Sequence, residues 1–168
     1  MKLFIVGLPG SGKSTLGVRL ALRLKLPFLD LDQCIEQEAQ QPIRDLFAQQ
    51  GEAAFRQLEQ RALREAMQHQ EMVLATGGGA PCFYDNMQVM NHNGTTIYLE
   101  VPIPVIVARM QGDQITDRPL LHGMNRDHLA QEYTAKFEER LPVYRQAHII
   151  VNQHTTTEEV VALLKARS

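Results

Sequence analysis

The sequence predicts an α/β protein in which helices cover both faces of a parallel β-sheet, giving three layers joined by right-handed crossovers. Short apolar runs recur along the 168 residues, and helical patterns separate them. The runs are rich in β-branched or aromatic residues and do not alternate cleanly with polar ones, which is typical of strands buried on both faces. The predicted strands are residues 3–6, 27–31, 72–75, 95–99 and 148–151.

Four segments between these strands have helical patterns. Residues 14–26 follow the first strand, and residues 51–68 carry an apolar stripe. A third helix over residues 125–141 begins at Asn125, a residue type that N-caps favour. The last helix, residues 156–167, has threonine caps and glutamates in its first turn.

Two stretches interrupt the alternation of strands and helices. Residues 33–60 separate the second and third strands by more than a single crossover helix requires. Residues 111–124 lack periodicity, and loops of this length are usually functional. We therefore predict one domain over residues 1–168 with insertions at 33–60 and 111–124.

Composition excludes several classes of protein. The net charge of −2, with acidic and basic residues interleaved, argues against a general nucleic-acid binder or a membrane-surface protein. No run approaches the ~20 apolar residues of a membrane span. Cys34 and Cys82 are far apart and the histidines are scattered, so we expect reduced thiols, no zinc site and a cytoplasmic protein. Our expectation for its oligomeric state is a monomer.

The stretch GLPGSGKST, residues 7–15, matches the phosphate-binding pattern G-x-x-x-x-G-K-[ST]. A strand leads into it and a helix leaves it, as the motif requires. Its backbone N–H groups would surround phosphate oxygens, aided by the helix dipole. Lys13 would reach the β- and γ-phosphates, and the Ser14 hydroxyl would ligate Mg²⁺. The predicted nucleotide contacts in this loop are Gly10, Ser11, Gly12, Lys13, Ser14 and Thr15.

Two aspartates, Asp30 and Asp32, end the second predicted strand in the stretch LDLD. The carboxyl edge of a parallel sheet places them beside the phosphate loop. Asp30 would face the Mg²⁺, directly or through water, and Asp32 would face an acceptor hydroxyl. Residues two apart share one face of a straight strand, so these different roles require the chain to bend at or after Asp30.

Missing motifs argue against a GTPase, and glycines after the third predicted strand indicate a place where the backbone approaches another group. The sequence has no NKxD motif, and no DxxG follows the second or third strand. Instead, the third strand runs into Gly77, Gly78 and Gly79, where the missing side chains allow a backbone to approach another group closely.

Arginines mark the predicted acceptor side. Arg56 and Glu59 lie three residues apart on a helix, so the carboxylate can orient the guanidinium. Arg140 closes the third predicted helix before LPVY. An arginine fork binds a planar carboxylate bidentately, although each arginine taken singly also fits an ordinary surface position.

Taken in order, these motifs resemble the shikimate kinase family over essentially the whole chain. They are GLPGSGKST, D-L-D, I-x-x-L-F, G-E-x-x-F-R-x-x-E, T-G-G-G-A, R-P-L-L and R-x-P-x-Y. The first is shared by many families, but the ordered combination is specific. The resemblance implies a P-loop NTPase fold with sheet order 2-3-1-4-5. It also implies Mg²⁺-dependent transfer of phosphate from ATP to the 3-hydroxyl of shikimate, a step towards chorismate and the aromatic amino acids.

The resemblance also implies roles for individual residues. Residues 33–60 would bind the acceptor, with Phe47 and Phe55 around its ring, and residues 111–124 would form a lid whose Arg118 reaches the phosphates. The implied catalytic residues are Lys13, Asp32 and Arg118. The implied shikimate contacts are Asp32, Arg56, Gly78, Gly79 and Arg140, and the implied metal site is Ser14 with Asp30.

The adenine end has fewer markers. Asn152 and Gln153, after the last strand, are the candidates that border adenine, and Gln153 is our predicted ATP contact. The spacing between Arg109 and Arg118 is longer than the family's usual spacing, so Arg109 is given no adenine contact.

Two other functions compete with this one. Another small-metabolite kinase, such as a gluconate kinase, would need a polyol site without a carboxylate clamp made by two arginines. A non-catalytic nucleotide-sensing module would not need an acceptor-side carboxylate such as Asp32, and Asp30 and Arg118 also argue against it.

Overall fold

The computed structural model describes residues 1–112 and 126–167. Its sheet has five parallel strands in the order β2-β3-β1-β4-β5, which confirms the predicted fold class and strand order. The strands are β1 Lys2–Val6, β2 Phe28–Asp30, β3 Met72–Ala75, β4 Thr95–Glu100 and β5 Ile149–Asn152.

Helices connect the strands across the sheet. They are α1 Lys13–Leu24, α2 Leu31–Ala39, α3 Ile43–Ala66, α4 Asn86–Asn93, α5 Ile103–Gly112, α6 Arg126–Tyr144 and α7 Thr157–Arg167, with a 3₁₀ turn at Ala80–Cys82. None of the helices in the described ranges is long and apolar enough to cross a membrane.

The centre of the sheet holds the core. Four consecutive residues of β1, from Leu3 to Val6, are fully buried, and every residue of β3 is buried. Burial on both faces was predicted for all five strands, and it is wrong for β5. There Ile149 and Val151 are buried while Ile150 is 50% exposed, so one face of this edge strand is open to solvent.

The first insertion contains two helices rather than one. Helix α2 begins at Leu31, directly after β2, and α3 begins at Ile43, eight residues before the predicted helix start at Gly51. Gly51 itself has φ 81° and ψ 174°, so α3 bends there. Glycine adopts this positive φ without the steric penalty that a Cβ brings, which explains its place at the bend.

Helices α4 and α5 were not predicted. Helix α4 is short and mostly polar, so it shows no clear apolar stripe. Helix α5 begins with an apolar and β-branched stretch, which by composition resembles a strand. Asn125, Arg118 and the predicted lid beyond Gly112 lie outside the described residues.

Helix α6 is longer than predicted. The sequence suggested an end at Leu141, before Pro142, but the helix continues through the proline to Tyr144. Proline lacks one N–H donor and crowds the preceding turn. Pro142 lies in the last turn of a long helix, so the missing hydrogen bond affects only the end of α6. The extra residues put Tyr144 one turn beyond Arg140, on the same face of the helix.

Candidate functional site

The phosphate loop joins β1 to α1. Gly10 and Gly12 have φ angles of 78° and 98°, in the left-handed region that favours glycine, and Gly12 is the N-cap of α1. The first turn of α1 therefore presents unsatisfied backbone N–H groups towards the loop, and its dipole favours an anion there. This geometry, built mainly from backbone, is suited to bind a phosphate group.

Two polar side chains complete the loop. Lys13 is buried, and its Nζ donates to the carbonyl oxygens of Gly7 and Leu8 at 2.9 Å each, which holds the ammonium group against the loop. The Ser11 hydroxyl is buried and has no hydrogen-bond partner among the described residues. A buried polar atom left in this state is unfavourable, so a ligand oxygen would stabilise it.

Arg109, on α5, contacts this loop. Its Nη1 donates to the Ser11 carbonyl oxygen at 3.0 Å, and the same nitrogen lies 3.7 Å from where a Cβ on Gly12 would be. The spacing between Arg109 and Arg118 in the sequence did not predict where this side chain lies. The sheet order places α5 beside the loop because β4, which precedes α5, is hydrogen-bonded to β1.

The side of the loop that faces β2 fits a hard divalent cation. The Ser14 hydroxyl donates to Asp30 Oδ2 at 2.6 Å, and Asp30 Oδ1 accepts from the backbone N–H groups of Asp32 and Gln33. A hydroxyl and a carboxylate are the oxygen ligands that Mg²⁺ prefers. The described residues contain no group of three His, Cys, Asp or Glu side chains around one point, so phosphates and water would complete the coordination.

The two aspartates face different neighbours because the chain bends between them. Strand β2 ends at Asp30, which caps α2, and Asp32 lies in the first turn of that helix. A Cβ on Gly77 would lie 2.9 Å from Asp32 Oδ1, so this carboxylate points towards the loop after β3. The bend required for two separate roles is present.

Arg56 is the centre of the acceptor side. It is 7% exposed, its Nη1 donates to Glu59 at 2.7 Å, and its Nη2 lies 3.4 Å from Glu52. Its Cζ lies 4.1 Å from the ring centroid of Phe83, 5.3 Å from that of Phe55 and 6.0 Å from that of Phe47. The ion pair and the rings therefore fix the guanidinium group in place.

Part of this guanidinium is unused. Arg56 Nε is buried and has no hydrogen-bond partner among the described residues. An arginine held in this way, with a donor still unpaired, is suited to bind a planar anion such as a carboxylate.

Glu59 is the most buried charge of the site, at 1% exposed. Burial raises the pKa of its carboxyl group, the positive charge of Arg56 opposes this shift, and the negative charge of Asp32 adds to it. The sequence identified Glu59 only as a partner for Arg56. Its proximity to Asp32 depends on how α2 packs against α3, and no pattern in the sequence predicts that contact.

Each of the three glycines after β3 leaves room for a different group. A Cβ on Gly77 would meet the carboxylates of Asp32 and Glu59, at 2.9 and 3.1 Å. One on Gly78 would lie 2.5 Å from the ring of Pro9, in the phosphate loop, and one on Gly79 would lie 2.6 Å from the Arg56 guanidinium. The glycine loop therefore lies between the phosphate loop and the acceptor side, and its lack of side chains allows both to approach.

Arg140, on α6, adds a second cation to the acceptor side. Its positive charge opposes the raised pKa of both Glu59 and Tyr144, so Arg140 lies near both side chains. Cys82 lies near the charges of Arg140 and Arg56, and burial raises the pKa of its thiol to about 11. The predicted shikimate contacts are thus near one another, whereas Arg118 lies outside the described residues.

The predicted adenine contacts are not joined to the phosphate loop by the hydrogen bonds described. Asn152 Oδ1 accepts from the backbone N–H of His154 at 2.8 Å and so fixes the turn after β5. Gln153 is half-buried next to it, and its Oε1 is without a partner within the described ranges. These residues lie at the edge of the sheet, two strands from β1.

Comparisons with known proteins agree with this geometry. The family model for shikimate kinase matches residues 9–167. A shikimate kinase of Bacteroides fragilis is 43% identical over 150 residues, which cover 89% of this chain and 83% of that protein.

Solved structures give the same result. The shikimate kinase of Bacteroides thetaiotaomicron superposes with a TM-score of 0.89 at 38% identity, covering 99% of this chain and 97% of that one. The shikimate kinase of Acinetobacter baumannii, solved in complex with shikimate, gives 0.85 at 31% identity, covering 99% of this chain and 90% of that one. On the family match, the identities and the shared fold, this chain belongs to the shikimate kinase family.

Proposed function

We infer that this chain transfers the γ-phosphoryl group of ATP to the 3-hydroxyl of shikimate, giving ADP and shikimate 3-phosphate. The reaction is a step towards chorismate and the aromatic amino acids. The observation that carries this conclusion is the arrangement around the glycine loop. A phosphate loop lies against Gly78 on one side, and a buried arginine with an unused donor lies against Gly79 on the other.

Catalysis by these residues is positioning together with charge stabilisation. The N–H groups of residues 10–15 and the Lys13 ammonium group would hold the phosphates of ATP and balance the charge of the phosphoryl group in flight. Asp32 would accept a hydrogen bond from the acceptor hydroxyl and take its proton as the new P–O bond forms. We also propose that Arg118 contacts the phosphates and that Gln153 borders the adenine.

Ser14 and Asp30 would hold Mg²⁺. The 2.6 Å contact between their oxygens shows that both side chains point to one place beside the phosphate loop. A bound Mg²⁺ would neutralise charge on the phosphate oxygens. Lys13 and the backbone N–H groups of the loop would balance the same charge.

On the acceptor side, Arg56 and Arg140 would bind the shikimate carboxylate, and the backbone at Gly78 and Gly79 would contact the ring hydroxyls. Arg56 is a buried cation, and a carboxylate would bring the opposite charge and two acceptor oxygens that match the guanidinium fork. A neutral polyol offers hydroxyl acceptors but no opposite charge, which favours a carboxylate as the ligand.

The test is release of ADP with a panel of acceptors. We expect turnover that requires both Mg²⁺ and shikimate, with gluconate and nucleoside monophosphates inert. The methyl ester of shikimate is the matched control because it keeps the 3-hydroxyl and removes the negative charge. Equal kcat/KM for the acid and the ester, or for an uncharged polyol, would contradict the carboxylate clamp.

We further propose that the enzyme is a cytoplasmic monomer that acts on small molecules and binds no nucleic acid. Neither Cys34 nor Cys82 forms a disulfide, which supports a reducing compartment. Sedimentation equilibrium in the presence of both substrates should give the protomer mass of 19.0 kDa. A stable dimer under those conditions would contradict the proposed state.

A further inference from the structure

Tyr144, the last residue of α6, makes a buried link to the glycine loop. The residue is fully buried, and its ring stacks on that of Tyr98 with the centroids 5.2 Å apart. Its hydroxyl donates to the Gly78 carbonyl oxygen at 2.7 Å, a contact between residues 66 positions apart in the chain. One side chain of α6 thus holds the backbone of the glycine loop in place.

The same hydroxyl lies near Arg140. Arg140 and Tyr144 are four residues apart on α6, which continues through Pro142, so their side chains lie on one face of the helix. The positive charge of Arg140 opposes the rise that burial causes in the pKa of Tyr144, so the guanidinium group is close to the phenol. Because the hydroxyl gives its hydrogen to Gly78, its oxygen lone pairs remain available to a guanidinium donor.

Burial keeps this link in a single protonation state. It raises the pKa of Tyr144 above its usual value, and the nearby positive charge of Arg140 only partly opposes the shift. The phenol stays neutral at physiological pH and remains a donor to the carbonyl. Its ring cannot shift freely, because Tyr98 packs against it and the position has no exposed surface.

We propose that Tyr144 is a positioning residue for the acceptor: it sets the Arg140 guanidinium and the Gly78 backbone in one fixed arrangement, and through both of them it orients shikimate. This inference rests on the proposed function. Without the hydroxyl, the buried Gly78 carbonyl would lose its donor, and the Arg140 guanidinium would lose the phenol oxygen that lies near it. The phosphate loop keeps its own hydrogen bonds, so the loss should affect the acceptor and not ATP.

The test compares Tyr144→Phe with Tyr98→Phe. Both variants remove one hydroxyl from one of two stacked, buried rings. Among the described residues, the Tyr98 hydroxyl has no hydrogen bond to Gly78 or Arg140. We expect Tyr144→Phe to lower kcat/KM for shikimate by roughly 5- to 100-fold, mainly through KM, with KM for ATP unchanged. Tyr98→Phe should leave both KM values near those of the wild type, and urea unfolding should show both variants folded.

A double-mutant cycle tests whether Tyr144 acts through Arg140. If Tyr144 acts partly through Arg140, the Tyr144→Phe change should raise KM for shikimate less in an Arg140→Ala background than in the wild type. Equal effects in the two backgrounds, or matching KM values for Tyr144→Phe and Tyr98→Phe, would overturn the inference alone. A wild-type chain that releases no ADP with shikimate would instead contradict the proposed function, and the inference with it.

Discussion

The two ends of the site are built in opposite ways. The phosphate end is one continuous stretch, residues 7–15, and most of its binding groups are backbone N–H groups. The acceptor cluster is made of side chains from three helices, Asp32, Arg56, Glu59 and Arg140, and of the backbone of one loop, Gly77–Gly79. The first end depends on local geometry, whereas the second depends on how distant segments pack. Substitutions at the two ends should therefore affect different substrates.

The largest expected effect separates the two aspartates where the ends meet. Asp32→Asn should lower turnover by roughly 10²–10⁴-fold, the usual range for a lost proton acceptor, while ATP binding stays unchanged. Asp30→Asn is the matched control, because it makes the same chemical change two residues earlier. It should instead raise the Mg²⁺ concentration needed for half-maximal activity. The same Mg²⁺ defect in both variants would show that the pair is a joint metal site.

Removing the buried arginine tests the acceptor cluster alone. Arg56→Ala should weaken shikimate binding by an amount on the order of 2–5 kcal/mol, because the shikimate carboxylate would be buried without its charged partner. Arg61→Ala is the control on the same helix: Arg61 pairs with Glu38 at 2.6 Å but is exposed, so its loss should change little. Calorimetric titration measures both. A comparable loss of ATP affinity in Arg56→Ala would mean that Arg56 serves the nucleotide.

Gly78 and Gly79 are adjacent but contact different ends of the site, so substitutions there can separate the two ends. An added methyl group on Gly79 would meet Arg56, whereas one on Gly78 would meet Pro9 of the phosphate loop. Such crowding typically costs about 1–3 kcal/mol. We expect Gly79→Ala to raise KM for shikimate roughly tenfold with KM for ATP unchanged, and Gly78→Ala to raise both. Steady-state kinetics decides this, and identical defects in the two variants would contradict the assigned contacts.

The smallest effect concerns stability and pH. Burial raises the pKa of Glu59, so the ionised group is less favourable in the folded chain than in the unfolded one. Stability from this group is present below the ordinary glutamate pKa and is lost as the pH rises through the folded value. Relative to Glu59→Gln, the wild type should therefore lose free energy of unfolding across that window. Urea unfolding at several pH values checks this, and a relative gain for the wild type would contradict the direction.

The contrast between the ends also explains what the sequence could predict. The motif at residues 7–15 predicted the phosphate loop because its geometry is local, and the apolar runs predicted the sheet. The acceptor residues were assigned mainly by resemblance, since Arg56 or Arg140 alone looks like a surface arginine. Burial of Glu59 depends on the packing of α3, and the reach of Tyr144 to Gly78 spans 66 positions. No local pattern encodes either contact.

The same reasoning accounts for Arg109 and for α6. The position of Arg109 over the phosphate loop follows from the pairing of β4 with β1, which a spacing along the chain does not reveal. The end of α6 was misplaced because Pro142 is a strong local stop signal. The helix nevertheless continues to Tyr144, which is buried and stacks on Tyr98.

The most direct test of this division is calorimetry of both substrates with Lys13→Ala and Arg140→Ala. Lys13→Ala removes a buried cation from the phosphate loop, and Arg140→Ala removes a cation from the acceptor cluster. We expect Lys13→Ala to lose ATP affinity while its shikimate affinity stays within about twofold of the wild type, and Arg140→Ala to show the reverse. If either variant weakened both substrates equally, the two ends would form a single cooperative unit, and the account of two separately built ends would be wrong.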